Sequence, residues 1–225
     1  MRTFKIGSLA LAGLLSTASL PSVAQSGFWG NDEATPSLAI APAELKIDVP
    51  MPVSSGNLQL MLAQAANGGS LADLKQEAVR KYTQHLHSEL ARELHEFLDD
   101  EEVPLVQQDG VLRLRNNLDL KVIKHLSAMK PKDNYDLEQG NVSLTGEFRF
   151  VLSNQSGTAL REQRISIDEL KINRKYRVKT PRDGSASEDN TEEAINQALT
   201  DMVEELVKEM EDYLEADSLR EIASI

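Results

Sequence analysis

Apolar side chains recur along this chain with two different periods, and the switches between them mark out its elements. At 43–49 (AELKIDV) Leu45, Ile47 and Val49 alternate with Glu44, Lys46 and Asp48, the period of a half-buried strand. Pro42, Pro50 and Pro52 bracket it, which predicts a short or edge strand. Residues 57–70 (NLQLMLAQAANGGS) fit either a strand running into a loop or a short helix, closed by NGG. From Ser70, an N-cap candidate, the spacing changes to threes and fours through Leu71, Leu74, Ala78, Tyr82, Leu86, Leu90, Leu94, Phe97 and Leu98. That spacing predicts an amphipathic helix of about seven turns.

Period two then returns. The Asp109-Gly110 pair ahead of 111–115 suggests a hairpin, and Leu118, Leu120 and Val122 alternate with Asp119 and Lys121. Residues 130–141 (KPKDNYDLEQGN) read as a polar loop. Val142, Leu144, Phe148, Phe150 and Leu152 line one face of a long strand, and SNQSGT turns it into a second at 159–167. Ile165 and Ile167 are odd-numbered, whereas Ile172, Tyr176 and Val178 are even, so a bulge or bend is expected near Asp168 and Glu169. The last element is a helix. Asp189 and Asn190 stand at capping-box spacing from Glu192 and Glu193, and Ile195, Leu199, Met202, Val203, Leu206, Met210, Tyr213 and Leu214 form its apolar stripe. These elements predict an α+β fold, with an antiparallel or mixed sheet of about four to six strands covered on one face by two amphipathic helices.

The N-terminus changes the picture of where such a domain works. Arg2 and Lys5 precede an apolar run at 6–20, Pro21 breaks it, and Ser22 and Ala24 supply the small residues of a signal-peptidase site. The run is shorter than the ~20 residues a spanning helix needs. The expected organisation is a signal peptide at 1–24, a flexible tail at 25–36, one domain at 37–217 and a C-terminal tail at 218–225. The tail holds Phe28 and Trp29, which could dock on a partner or on the domain itself. The mature protein is expected in the periplasm, or secreted, with no transmembrane segment after cleavage. The absence of cysteine excludes disulfides, thiolate metal sites, a cysteine nucleophile and lipoprotein acylation. A net charge of −12, which becomes −14 when Arg2 and Lys5 are removed, argues against a nucleic-acid partner.

Few residues invite chemistry. His95-Glu96-Phe97-Leu98-Asp99 resembles a zinc-protease HExxH, but Asp99 stands in place of the second histidine. His85 and His87 diverge by about 200° on a helix and cannot chelate together. No GxSxG, SxxK or glycine-rich phosphate cradle occurs. No catalytic residue, metal or cofactor is expected, and the chain reads as a non-enzyme. The basic stretch KINRKYRVKTPRDG at 171–184 is the exception to the acidic trend. Its parity points Lys171, Lys175, Arg177 and Lys179 away from the core, onto an open sheet face shared with Arg149 and Lys121, and with Asp119 and Glu147. Two readings stand: a solvated face, or a surface for a protein or an anionic glycoconjugate. Arg174 fits neither, because its parity is inward.

The string VSLTGEFRFVLSNQSGTALREQRISI, with KYRVKT and TEEAINQALTDMVEELVKEM after it, resembles small bacterial envelope proteins of the LptE-like and YajG-like lipoprotein families. The resemblance covers 142–214 and is one of pattern; the chain lacks the anchoring cysteine of those lipoproteins. It implies a non-enzymatic periplasmic accessory that binds a larger envelope component; the expected role is envelope assembly or maintenance, with a protein or glycoconjugate docked on an exposed sheet face or edge. The alternatives are a self-associating structural component, for which the sequence sets no oligomeric state, and a hydrolase with an unidentified site.

Overall fold

Alternation and helical spacing locate most elements, but the way the strands join is set by where the alternation is interrupted. A computed structural model describes residues 34–52 and 71–224. Along the chain these form β1 (Leu38–Ile40), β2 (Glu44–Asp48), α1 (Leu71–Asp100), β3 (Leu105–Val106), β4 (Leu112–Pro131), β5 (Tyr135–Asn154), β6 (Ala159–Ser166), a 3-10 turn (Ile167–Leu170), β7 (Asn173–Pro181), β8 (Glu188–Asp189), α2 (Thr191–Leu214) and α3 (Ala216–Ala223). The fold is α+β with a mixed sheet of eight strands, more than the four to six expected. The expected signal peptide, the strand or helix at 57–70 and residues 25–33 of the expected tail lie outside the described residues.

The sheet is organised around one antiparallel hairpin, β4–β5, each strand 20 residues long. The segment expected as a polar loop at 130–141 is instead the tip of this hairpin: β4 reaches Pro131, β5 begins at Tyr135, and Leu137 pairs with Lys130. At the tip the β4 side is largely exposed, while on β5 the buried positions are Glu138 and Gly140, which carry no apolar signal in the sequence. Leu126 and Met129 are exposed there.

Each long strand carries a broken partner on its outer side. On β4, β1 pairs in parallel with 112–114 and β2 with 117–121. On β5, β6 pairs antiparallel with the half near Asn154 and β7 with the half near Tyr135. The parity flip expected near Asp168 is the 3-10 turn, and the Asp168 carboxylate ties it down by accepting from the Thr145 hydroxyl (2.8 Å) and the Gly146 N–H (3.3 Å). Gly146 has φ +143°, a conformation that side-chain-bearing residues rarely adopt. The hairpin expected from Asp109-Gly110 does not form. β3 pairs with β1, so the turn carries the chain past β1 before β4 begins.

Helices cover one face of the sheet. Even-numbered β4 residues (Leu112, Leu114, Leu118, Leu120, Val122) and β5 residues (Val142, Leu144, Phe148, Phe150, Leu152) meet the buried stripe of α1 (Tyr82, Leu86, Leu90, Leu94, Leu98) and that of α2. Phe150 packs edge-on to Tyr213, with ring centroids 5.7 Å apart. The capping box at the start of α2 is not made. The Asn190 side chain instead accepts from the Arg177 N–H (2.7 Å), and Asp189 accepts from the Thr191 N–H (2.8 Å). The residues expected as a C-terminal tail carry α3, whose Leu219 and Ile222 are buried in the core. Thr35, in the expected N-terminal tail, accepts a hydrogen bond from Arg220 of that helix (2.7 Å).

Candidate functional site

The break between β1 and β2 has a simple cause in the register. Ile40 pairs with Leu114 and Glu44 with Asn117, so three edge residues, Ala41, Pro42 and Ala43, face only two on β4. One residue is extra, as in a bulge, and Pro42 has no N–H with which to rejoin the ladder. Ala41 still donates to the Leu114 carbonyl (2.9 Å). The strand therefore leaves β4 just beyond Leu114.

Asn116 sits on β4 at that point. It is 3% exposed, it occupies the helix-facing parity between Leu114 and Leu118, and its carboxamide oxygen has no hydrogen-bond partner. A buried polar atom left unpaired costs on the order of 1–3 kcal/mol, so its retention needs a reason. The reason the structure offers is a cleft of about 470 Å³ that opens over it.

The cleft lies between the strand break and α1. One wall is Ile40, Ala41, Pro42 and Ala43; the other is Leu90, Ala91 and Leu94, with His87 and His95 beside them; Leu105, Val106 and Gln107 form its end. No Asp, Glu, Lys or Arg lines it. His95 contributes its ring but not a metal-binding pair, because Nδ1 bonds back to the Ala91 carbonyl (2.6 Å). Asp99 of the HExxH-like string is exposed one turn on, and among the described residues no group of three His, Asp or Glu is placed to hold a metal. His85 points the other way, toward α2, within 3.2 Å of Thr200 Oγ1 and 3.3 Å of the Asn196 carbonyl. With an apolar wall, a lone buried amide and two imidazoles at the side, the cleft can hold an uncharged group and offer it one hydrogen bond.

The basic stretch resolves into separate pieces. Lys175, Arg177 and Lys179 do share the outer face of β7, opposite Asn141, Gln139 and Leu137. Lys179 is paired with Glu188 of β8 (2.9 Å), and its cation holds the Glu188 carboxyl below the usual carboxylate range. Lys171 is not in the row: it follows the 3-10 turn in the left-handed conformation. Arg149 shares the outer face but lies eight residues along β5 from the partner of Lys175, roughly 26 Å at a strand's rise per residue. There it pairs with Glu162 (2.8 Å). Lys121 and Asp119 also lie on that face, the latter bonded to Lys46 (2.6 Å). The inward Arg174 is accounted for as well, since its guanidinium grips both carboxylate oxygens of Asp201 on α2.

A third cluster lies inside, at the other end of the hairpin. Lys124 reaches the Glu138 carboxylate (2.8 Å), the Tyr176 hydroxyl donates to the same oxygen (3.1 Å), and the Lys124 ammonium stands 4.5 Å from the Tyr176 ring centre. Burial, then the neighbouring Glu138 charge, pushes the Tyr176 phenol far above its ordinary value. All three groups are satisfied by one another, so this cluster is a buried strut.

Sequence reasoning missed Asn116, although it left a trace. In LRLRNNLDLKV it is the one polar residue of the even-numbered series that otherwise reads Leu112, Leu114, Leu118, Leu120, Val122.

No family model matches this chain, and no curated protein matches it in sequence. Among solved structures it is similar to a chain described as a neuraminyllactose-binding hemagglutinin homolog from Helicobacter pylori, at 11% identity and a TM-score of 0.49, over 88% of this chain and 94% of that one. It is also similar to a minor lipoprotein from Acinetobacter baumannii, at 12% identity and a TM-score of 0.34 over 81% and 94% of the two chains. A third similarity is to the lipoprotein GNA1162 from Neisseria meningitidis, at 12% identity and a TM-score of 0.19 over 79% and 99%.

Proposed function

We propose that this chain is a non-enzymatic accessory protein of the bacterial cell envelope, exported by residues 1–24, which holds a partner in the cleft at the β1–β2 break. The observation that carries the reading is the unpartnered Asn116 carboxamide oxygen in the lining of a cleft without Asp, Glu, Lys or Arg. A core position that keeps an unpaired amide oxygen, beside a wall of Leu90, Leu94 and Leu105, is built for a donor that completes it. The export signal and the pattern-level resemblance support the envelope location. The basic row of β7 is the weaker surface, since Lys179 is neutralised by Glu188 and Arg149 lies far from it, paired with Glu162.

The test uses the neutral fluorophore N-phenyl-1-naphthylamine, titrated against the full chain. Saturable binding at one site is expected, and Ala91→Arg, which places a long cationic side chain in the cleft from the exposed side of α1, should abolish it. Binding that ignores Ala91→Arg, or no saturable binding, refutes the site. Export is checked by fractionating cells that express the chain with and without residues 1–24; retention of both forms in the cytoplasm refutes the location.

A further inference from the structure

We propose, building on the cleft reading above, that the occupant is an extended, uncharged peptide segment of a partner protein, added as a short strand on the edge of β2 away from β4. The edge is the first ground. β3 pairs with β1 only at Leu38 and Ala39, and among the described residues no strand pairs with β2 on the side away from β4. Among the described residues no strand occupies the track from Ile40 to Asp48 that β3 leaves after Val106, and a strand's unpaired N–H and C=O groups are a template for another strand.

The cleft supplies the second ground. It lies beside the start of that open track, between Ile40–Ala43 and α1, so a peptide on the edge would pass along it with alternate side chains facing the wall of α1. Those walls are Leu90, Leu94 and Leu105, which select apolar side chains. Charge is the third ground. No Lys or Arg lines the cleft, so a lipid phosphate or an acidic sugar would enter it without a fixed cation to balance its charge. A peptide brings N–H donors, and one of them can satisfy the Asn116 oxygen.

A random dodecapeptide library displayed on phage is panned on the immobilised full chain, and an enriched peptide is synthesised with a fluorescein label. Enrichment of sequences with apolar residues in an uncharged, proline-poor stretch is expected. In anisotropy titrations Ala91→Arg and Asn116→Leu should each weaken binding at least tenfold, while Glu169→Lys, on the far edge of the sheet, leaves it unchanged. Gln107→Arg, at the exposed end of the cleft, repeats the test if Ala91→Arg fails to fold. The peptide should also displace N-phenyl-1-naphthylamine and slow amide exchange within 44–48, a readout that simple filling of the cleft would not give.

Each contrary outcome is distinct. Peptide binding that Ala91→Arg and Gln107→Arg leave intact overturns the proposal, as does binding that leaves exchange at 44–48 unaltered. Dye binding that Ala91→Arg abolishes, with no peptide able to displace the dye, overturns the peptide and assigns the cleft to a neutral amphiphile. Failure of both dye and peptide overturns the cleft reading itself.

Discussion

Asn116→Leu should make this protein more stable. The side chain is buried on the core-facing side of β4, its neighbours on that face are Leu114 and Leu118, and its oxygen lacks a partner. Leaving a buried polar atom unsatisfied costs about 1–3 kcal/mol, and replacing it with an apolar group of similar shape removes that cost. Leucine is bulkier than asparagine, but the extra volume faces the open cleft and not packed core, so overpacking subtracts little. A net gain of about 1–2 kcal/mol follows. With a urea m-value of about 2 kcal/mol per molar, the midpoint rises by about 0.5–1 M. The measurement is equilibrium urea unfolding followed by far-ultraviolet circular dichroism, with Leu118→Asn as the mirror substitution. That variant puts an amide where the ladder is intact and should cost about 3 kcal/mol or more. An Asn116→Leu midpoint equal to or below that of the parent would refute the reasoning, because it would mean that the amide contributes bonds to the free protein.

Three further outcomes follow from the packing. A Cβ at Gly140 would overlap the His125 carbonyl oxygen and come within 2.7 Å of a Tyr176 ring carbon, so Gly140→Ala should separate the hairpin tip and cost about 3 kcal/mol or more; urea unfolding of that variant checks it. The Tyr82 phenol is pushed up to about 12 by burial, then by the Glu192 and Asp189 carboxylates. Its neutral form is thus favoured by the fold, so stability is unaffected below pH 10 and falls between pH 10 and 12 by about 1.4 kcal/mol per unit at most, a slope that Tyr82→Phe should remove in alkaline denaturation. Leu219→Ala, in the fully buried stripe of α3, should cost about 2–5 kcal/mol in thermal or urea unfolding, whereas a dispensable tail would show no change.

The parts of the fold that were legible in the sequence are those where one face is buried along a whole element. The stripes of α1 and α2 and the even series from Val142 to Leu152 have uniform environments, so their periods survive in the residues. The hairpin tip reads as a loop because its buried β5 positions are Glu138 and Gly140, not apolar residues, and its β4 side is largely exposed, which erases the apolar period two even though the backbone ladder continues. β3, β8 and β1 are two or three residues long, too short to carry a period. The break at Pro42 was half visible: proline brackets predicted a short edge strand, but the extra residue exists only relative to β4, and register is a property of the pair. The basic row was legible as a face. Its grouping with Arg149 and Lys171 was not, because distance along a partner strand and the left-handed turn at Lys171 leave no mark in local parity.

The pairing of β1 and β2 with β4 also dictates an order of assembly. Leu38 meets Leu112 and Glu44 meets Asn117, partners more than seventy residues apart, whereas β4 meets β5 through a turn at 132–134. Closing the longer loop costs roughly 4 kcal/mol of chain entropy before any contact offsets it. The hairpin therefore has to stand first, and the N-terminal strands wait for it. A chain that crosses a membrane N-terminus first would arrive with β1 and β2 already on the far side and nothing to join until residue 121 had followed. In pulsed hydrogen exchange during refolding, amides of β4 and β5 should gain protection before those at 44–48, so the edge that we assign to a partner is also the last part of the sheet to close.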